Sequence, residues 1–149
     1  MPPPPALVEI KARATAFRAA VVASDRSRFP VALQSFPRGC CGLTSDLLAV
    51  YFDQMGFGEF EYVCGERGSV PLGDWHTHAW LEGYGLIVDI TADQFGARHN
   101  PVIVTAVSPW HSAYQEKKRR RPGILEYAIA GELTSAYAII MQTMRRFST

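Results

Sequence analysis

The hydrophobic periodicity of this chain changes near Glu59, and that change predicts its fold class. Residues 6–24 carry apolar side chains at spacings of three and four, which is typical of an amphipathic helix; these are Leu7, Ile10, Ala14, Phe17 and Val21. A second helix is predicted from Cys40 or Cys41 to Met55-Gly56, where glycine favours an end. From Glu59 onward apolar and polar residues alternate, as they do in strands. The pattern predicts an α+β fold with N-terminal helices packed on an antiparallel sheet.

The second half of the chain predicts a hairpin and further strands. Residues 75–82 and 86–90 form the hairpin, joined through Gly83-Tyr84-Gly85, and residues 101–107 form another strand. In the segment 124–144 the first part is predicted as strand, and residues 133–146 as helix. The charged block 116–121 is predicted as a solvated loop, because Pro122-Gly123 follows it.

Length and composition indicate one ordinary globular domain over residues 1–149, with residues 1–5 as a proline-rich cap. A net charge of +1 gives no bias toward nucleic acid. Three cysteines make a poor disulfide framework, so we expect a reducing, cytoplasmic setting. We find no signal sequence and no apolar run of roughly 20 residues, so no membrane partner is expected. Export as a toxin or effector would need a route that this chain does not encode.

Two adjacent cysteines open the second predicted helix, in Gly39-Cys40-Cys41-Gly42. The thiolate is the nucleophilic form of cysteine, and a helix N-terminus with a nearby imidazolium lowers the thiol pKa. Cys41 is the predicted nucleophile, because Gly42 leaves the helix-terminal amide open. Cys40 remains the alternative and otherwise fills the core as a small apolar side chain, and Cys64, in a strand, is predicted to lie in the core.

A histidine in a strand supplies the candidate base. His78 precedes Ala79-Trp80, so packing against an aromatic wall can hold the ring while its two nitrogens face a thiol and a carboxylate. His76 lies on the same face of the strand and is the alternative base, or else a rim or substrate contact. His76-Thr77-His78 with a cysteine also permits zinc, but the chain has no CxxC or HExxH spacing, and we predict no metal.

Asp89 lies inside the apolar segment 86–91 and is the predicted orienting carboxylate. An unpaired buried carboxylate costs several kcal/mol, so an imidazole on the neighbouring strand is its expected partner. A turn-capping role for Asp89 is the alternative, in which case Asp93 would orient the base.

Further residues are predicted to contact the substrate or its oxyanion: Gln34, Cys40, His76 and Trp80. The Gln34 amide is a candidate oxyanion donor, although a water-facing loop glutamine fits equally well, and a backbone N–H at the helix start supplies a donor without any special residue. His99 and His111 are predicted as surface or rim residues.

These motifs together resemble the transglutaminase-like branch of the papain-like cysteine enzymes, over about residues 36–110. The segments that carry the resemblance are Gly39-Cys40-Cys41-Gly42, His78-Ala79-Trp80-Leu81-Glu82 and Val88-Asp89-Ile90-Thr91. The resemblance implies a small stand-alone bacterial member in which a helix carrying the thiol packs on an antiparallel sheet carrying base and acid. Similar sites occur in leader-peptide proteases of lasso-peptide biosynthesis and in secreted deamidase toxins. The calcium sites and flanking domains of large transglutaminases are not expected at this length, and no cofactor is predicted.

The predicted function is that of a cysteine-dependent amide hydrolase or acyltransferase on a protein or peptide substrate. Cys41 would attack a carbonyl, His78 would move the proton and Asp89 would fix the imidazole tautomer. Water or an amine would resolve the thioester, so a peptidase, a glutamine deamidase and a transglutaminase-type enzyme all stay open. A catalytically idle domain that binds a peptide or a partner protein is the second hypothesis.

Overall fold

The computed structural model describes residues 3–148 and shows helices packed on a five-stranded antiparallel sheet, so the α+β prediction is confirmed. Its helices are Leu7–Ala23 (α1), Val31–Gln34 (α2), Cys41–Gln54 (α3), Pro109–Ser112 (α4) and Ala130–Phe147 (α5). Its strands are Glu61–Arg67 (β1), His76–Gly83 (β2), Leu86–Asp89 (β3), Ile103–Thr105 (β4) and Gln115–Arg120 (β5). Short 3₁₀ turns lie at Arg26–Arg28 and Ala92–Phe95. The strand order is β4-β3-β2-β1-β5.

Helices α1 and α3 pack on the sheet, α5 packs on α1, and all three share the main hydrophobic core. In α1 the predicted apolar stripe is buried from Ile10 onward, whereas Leu7 at the helix start stays 43% exposed. The Phe17 ring stacks on Tyr51 of α3 with 5.6 Å between centroids, and Ser24 shares a buried hydrogen bond with Thr143 of α5. Within residues 3–148 no helix is both long and apolar enough to cross a bilayer. Residues 3–5 of the predicted cap form no helix or strand, and residues 1 and 2 lie outside the described range.

The predicted hairpin is present and places the site residues on adjacent strands. Tyr84 and Gly85 both have positive φ, 54° and 74°, which is the backbone of a type I′ turn. The register pairs Leu81 with Val88, and both side chains enter the main core. The Tyr84 ring offsets its unfavourable backbone conformation by packing on Phe60, 5.3 Å between centroids.

Two of the local predictions were wrong. The charged block forms β5, an edge strand paired with β1, because tertiary pairing and specific partners outweigh the repulsion among its like charges. Arg119 pairs with Glu82 at 2.9 Å, and Arg120 pairs with Asp46. Residues 124–129 form turns rather than a strand, and α5 begins at Ala130.

A buried carboxylate ties α3 to β5 and to the segment that follows it. Asp46 is fully buried and accepts hydrogen bonds from the Arg120 guanidinium at 2.8 and 3.1 Å, the Gly123 N–H at 2.9 Å and the Tyr127 hydroxyl at 2.6 Å. The Arg120 guanidinium also lies 3.7 Å from the centre of the Tyr62 ring on β1. This network fixes the helix that carries Cys41 against the edge of the sheet.

We predict that Asp46→Ala lowers the free energy of unfolding by about 1–3 kcal/mol, because it leaves the Gly123 N–H and the Tyr127 hydroxyl without the buried acceptor that Asp46 provides. Urea denaturation at pH 7 measures the change. Arg119→Gln is the matched control, since it breaks an exposed ion pair that is worth about 0–1 kcal/mol. Equal effects of the two substitutions would contradict a structural role for the Asp46 network.

Candidate active site

The first turn of α3 presents Cys41 at a helix N-terminus. Cys40 is the N-cap, and the bond from the Thr44 N–H to the Cys40 carbonyl, 2.9 Å, is the first of the helix. The amides before Thr44 therefore have no acceptor within the helix and contribute partial positive charge. A Cβ on Gly42 would lie 2.8 Å from the Tyr62 hydroxyl, so glycine lets this turn approach β1 closely.

The structure brings His78 and Asp89 together on one face of the sheet. Residues that alternate along β2 and β3 share that face, and the His78 Nε2 lies 2.6 Å from the Asp89 Oδ2. Burial opposes ionisation of Asp89, but hydrogen bonds from His111 and His78 hold the pKa of the carboxyl well below its usual range. The other carboxylate oxygen accepts the Thr91 N–H at 2.9 Å. Asp89 therefore both orients the histidine and caps the following turn, the two roles predicted as alternatives.

The second nitrogen of His78 faces the Cys41 thiol. This Nδ1 atom is buried and forms no well-aligned hydrogen bond within residues 3–148. The imidazole and the thiol are nevertheless close enough to shift each other's pKa. Burial raises the pKa of the Cys41 thiol, but the His78 imidazole and the Ala79 N–H outweigh burial and lower it below its usual value. Burial lowers the pKa of His78, and its contacts with Asp89 and Cys41 raise it to about 9. Both shifts run in the direction that favours a thiolate beside an imidazolium.

A second histidine binds the same carboxylate oxygen, and its predicted surface position was wrong. His111 is 1% exposed, and its Nε2 lies 2.7 Å from the Asp89 Oδ2. Its Nδ1 lies 2.6 Å from the Ser108 hydroxyl, which also caps α4. Ser108-Pro109 is a typical helix start, and that was the sequence signal that His111 lies in an ordered element. Since Asp89 only accepts, the Nε2 atoms of both histidines carry protons.

Aromatic rings enclose the His78 imidazole, which is fully buried. The ring centroids of four residues lie 5.1 to 5.9 Å from that of His78; these are Phe95, Trp110, Trp80 and Tyr114. The Arg67 guanidinium lies over Trp110 and Tyr114 at 6.0 and 5.7 Å and holds them against β1. These rings exclude water from the His78 imidazole and restrict its orientation.

The alternative base, His76, has other partners, and the alternative nucleophile, Cys40, is buried. The His76 Nδ1 lies 3.0 Å from the Asp74 carbonyl and its Nε2 lies 3.0 Å from the Tyr114 hydroxyl, so neither nitrogen faces the thiol. Cys40 is 2% exposed, and burial raises the pKa of its thiol. The Cys40 side chain therefore lies in the core, as its alternative role predicted, and its contact with the substrate or oxyanion stays a prediction.

Other predicted positions have partners within the protein. Trp80 is fully buried behind His78 and donates its indole N–H to Glu82 at 2.8 Å, and its contact with substrate stays a prediction. The Gln34 amide donates to the Phe29 carbonyl at 2.9 Å and is already used in its own loop. Cys64 is half-buried on β1 rather than in the core, and burial raises the pKa of its thiol.

The group His78, Asp89 and His111 also has the composition of a metal site, with its ligand atoms within 4.8 Å of one another. The separations of 2.6 and 2.7 Å between ring nitrogens and carboxylate are hydrogen-bond lengths. Tetrahedral zinc with bonds of about 2 Å holds its ligand atoms farther apart than this. The observed geometry therefore fits hydrogen bonds. A bound metal would require the ring nitrogens to move away from the carboxylate oxygen.

A large cavity lies away from this chemistry. Its volume is about 710 Å³, and it is lined by the end of α3 and the start of β1, including Asp53, Phe57 and Glu61. Helix α3 is roughly 20 Å long at 1.5 Å per residue, so this cavity and Cys41 lie at opposite helix ends. Volume alone therefore does not identify the site, and the perturbed thiol and imidazole do.

Comparison with known proteins gives no assignment, since no protein-family model, curated protein or solved structure matches this chain.

We predict that iodoacetamide at pH 7 alkylates Cys41 at least about tenfold faster than Cys40 or Cys64, because only the Cys41 thiol has a lowered pKa. Peptide mapping by mass spectrometry over a time course measures the three rates. Cys41→Ser is the control and leaves only slow labelling. Labelling of Cys64 as fast as that of Cys41 would contradict the assignment.

We predict that Asp89→Asn slows Cys41 alkylation at pH 7 by at least about tenfold, which corresponds to one unit of thiol pKa. The asparagine amide can donate to His78, which turns the protonated ring nitrogen toward the sulfur and removes the base. The pH dependence of the labelling rate should move to higher pH. Asp93→Asn is the matched control, since Asp93 pairs with Arg18 at 2.8 Å instead of the histidines; an equal shift in this variant would transfer the role to Asp93.

Proposed function

We propose that the chain is a cysteine-dependent amide hydrolase or acyltransferase that acts on protein or peptide substrates. Cys41 is the nucleophile, His78 the acid and base, and Asp89 the orienting carboxylate. One observation carries the proposal. A buried imidazole has one nitrogen tied to a carboxylate and the other left without a partner beside a thiol of lowered pKa.

The reaction follows from the charge state of this pair. The Cys41 thiolate attacks the substrate carbonyl carbon, and the carbonyl electrons move to oxygen in a tetrahedral intermediate. When the intermediate collapses, the C–N bond breaks and the His78 Nδ1 gives its proton to the departing amine. Water or a second amine then adds to the thioester while the same nitrogen accepts its proton, and the thiolate leaves.

Asp89 and His111 keep the His78 ring in one orientation throughout this cycle. With Asp89 accepting from the His78 Nε2, the neutral ring can present only its Nδ1 lone pair to the thiol. His111 donates to the same oxygen and is itself tied to Ser108, so the carboxylate cannot turn toward another donor. Exclusion of water by the surrounding rings strengthens each of these interactions.

The order of elements supports the transglutaminase-like assignment within the papain-like fold. A helix carrying the thiol precedes a strand carrying the base, and the next strand carries the acid. The three free cysteines accord with the cytoplasmic setting predicted above. The alternative of an idle binding module gives no reason for a thiol of lowered pKa beside a histidine that a buried carboxylate orients.

The test is a search for a covalent intermediate. The protein is incubated with a mixed library of glutamine peptides and amines, and intact-mass analysis detects acyl adducts. Wild type should form an adduct that Cys41→Ala abolishes, and His78→Ala should slow its formation by at least about 10² through loss of acid-base catalysis.

His76→Ala is the matched control, because this ring lies on the same strand but faces Tyr114. Its effect should be far smaller than that of His78→Ala. An adduct that survives Cys41→Ala, or equal losses in the two histidine variants, would refute the proposed roles. A wild-type protein that forms no adduct while remaining folded would favour the binding module.

A further inference from the structure

A second buried polar atom near the nucleophile lacks a partner, the Nε2 of the half-buried Gln94 side chain. Its Oε1 accepts the Gly39 N–H at 3.4 Å. That contact fixes the orientation of the amide, because an N–H requires an oxygen opposite it. The Nε2 is then left buried, with no hydrogen-bond partner within residues 3–148.

The position of Gln94 is set rigidly by the turn that follows β3. The Arg18 guanidinium binds both carboxylate oxygens of Asp93 at 2.8 Å and the Ile90 carbonyl at 2.6 Å. The next residue, Phe95, packs on the His78 ring at 5.1 Å. Gln94 therefore lies between a ring that contacts the base and a loop, at Gly39, that ends two residues before the nucleophile.

An unpartnered buried amide is unusual enough to require a reason. Leaving a buried donor unsatisfied costs about 1–3 kcal/mol, and folded proteins contain few such groups. In the described part of the chain the others are His78 Nδ1 and His99 Nε2, and both of those rings pack against Trp110. The unsatisfied nitrogens thus gather around one site instead of being scattered through the core.

We infer that the Gln94 Nε2 donates a hydrogen bond to the oxyanion that forms when Cys41 attacks a carbonyl, with the Cys41 backbone N–H as the second donor. This inference rests on the proposed function. Negative charge reaches the oxygen only in the tetrahedral intermediate, so a donor that is held ready and unused in the free protein stabilises that state selectively. The sequence offered Gln34 for this role, and the structure uses its amide elsewhere.

Two reactions of the same thiol separate this role from others. Acylation of Cys41 by p-nitrophenyl acetate passes through a tetrahedral oxyanion and releases p-nitrophenolate, which is read by absorbance. Alkylation by iodoacetamide forms the S–C bond as iodide leaves, and no charge develops on the carbonyl oxygen. An oxyanion donor therefore affects the first rate and not the second.

Gln94→Met keeps the length of the side chain and removes both polar atoms. We expect the acylation rate to fall by about 10²- to 10³-fold, as is typical for loss of one oxyanion donor, with alkylation changed less than about twofold. Gln94→Glu is the second variant, because it keeps an acceptor for the Gly39 N–H and lacks the donor; it should lose acylation as well. Gln34→Met is the matched control and should match wild type in both reactions.

The outcomes are distinct. Wild-type acylation rates in both Gln94 variants would overturn the inference and leave the proposed function intact. Equal losses of acylation and alkylation would also overturn it, because the residue would then act on the thiolate. A wild-type protein that is alkylated quickly at Cys41 but is not acylated would overturn the proposed function itself.

Discussion

One carboxylate oxygen organises the site, since the Asp89 Oδ2 accepts hydrogen bonds from two buried imidazoles at 2.6 and 2.7 Å. Removing a carboxylate from water costs several kcal/mol, and a single neutral donor rarely offsets that cost. Two donors, with the Thr91 N–H on the other oxygen, keep Asp89 ionised. The charge in turn holds His78 in the tautomer that faces Cys41. The β2–β3 register places His78 beside Asp89, and the position of α4 places His111 there. The fold and the site therefore depend on the same two hydrogen bonds.

The nucleophile depends on a second buried carboxylate on its own helix. Burial works against a thiolate at Cys41, and only an accurately placed imidazole and amide reverse the sign of the pKa shift. Such placement needs a helix that cannot slide along the sheet. Asp46, five residues after Cys41, supplies this by binding Arg120 and Tyr127. Asp89 therefore positions the base, His78, and Asp46 positions the helix that carries the Cys41 thiol.

Local sequence patterns were enough to predict most helices and strands and to single out Cys41, His78 and Asp89, because each of these features is visible in a short segment of the sequence. The stripe of α1, the Tyr84-Gly85 turn and the charged Asp89 in an apolar strand are of this kind. What the sequence missed depends on distant partners. The contact of His111 with Asp89 is apparent only once α4 is placed against β3, and β5 forms because Arg119 and Arg120 meet acidic residues far along the chain. Gln34 is a different case, since the amide predicted to be an oxyanion donor donates to the Phe29 carbonyl in its own loop.

The arrangement also limits how the proposed acyl-enzyme can be resolved. His78 is fully buried, and its Nδ1 is the one ring nitrogen that faces Cys41. In the proposed mechanism this nitrogen must first protonate the departing amine and then deprotonate the incoming nucleophile. Both groups therefore occupy the same position, next to the half-buried Cys41. An amine that remains bound there after bond cleavage blocks water, and one that leaves admits it, so hydrolysis and acyl transfer differ in the occupancy of one position and not in the catalytic groups.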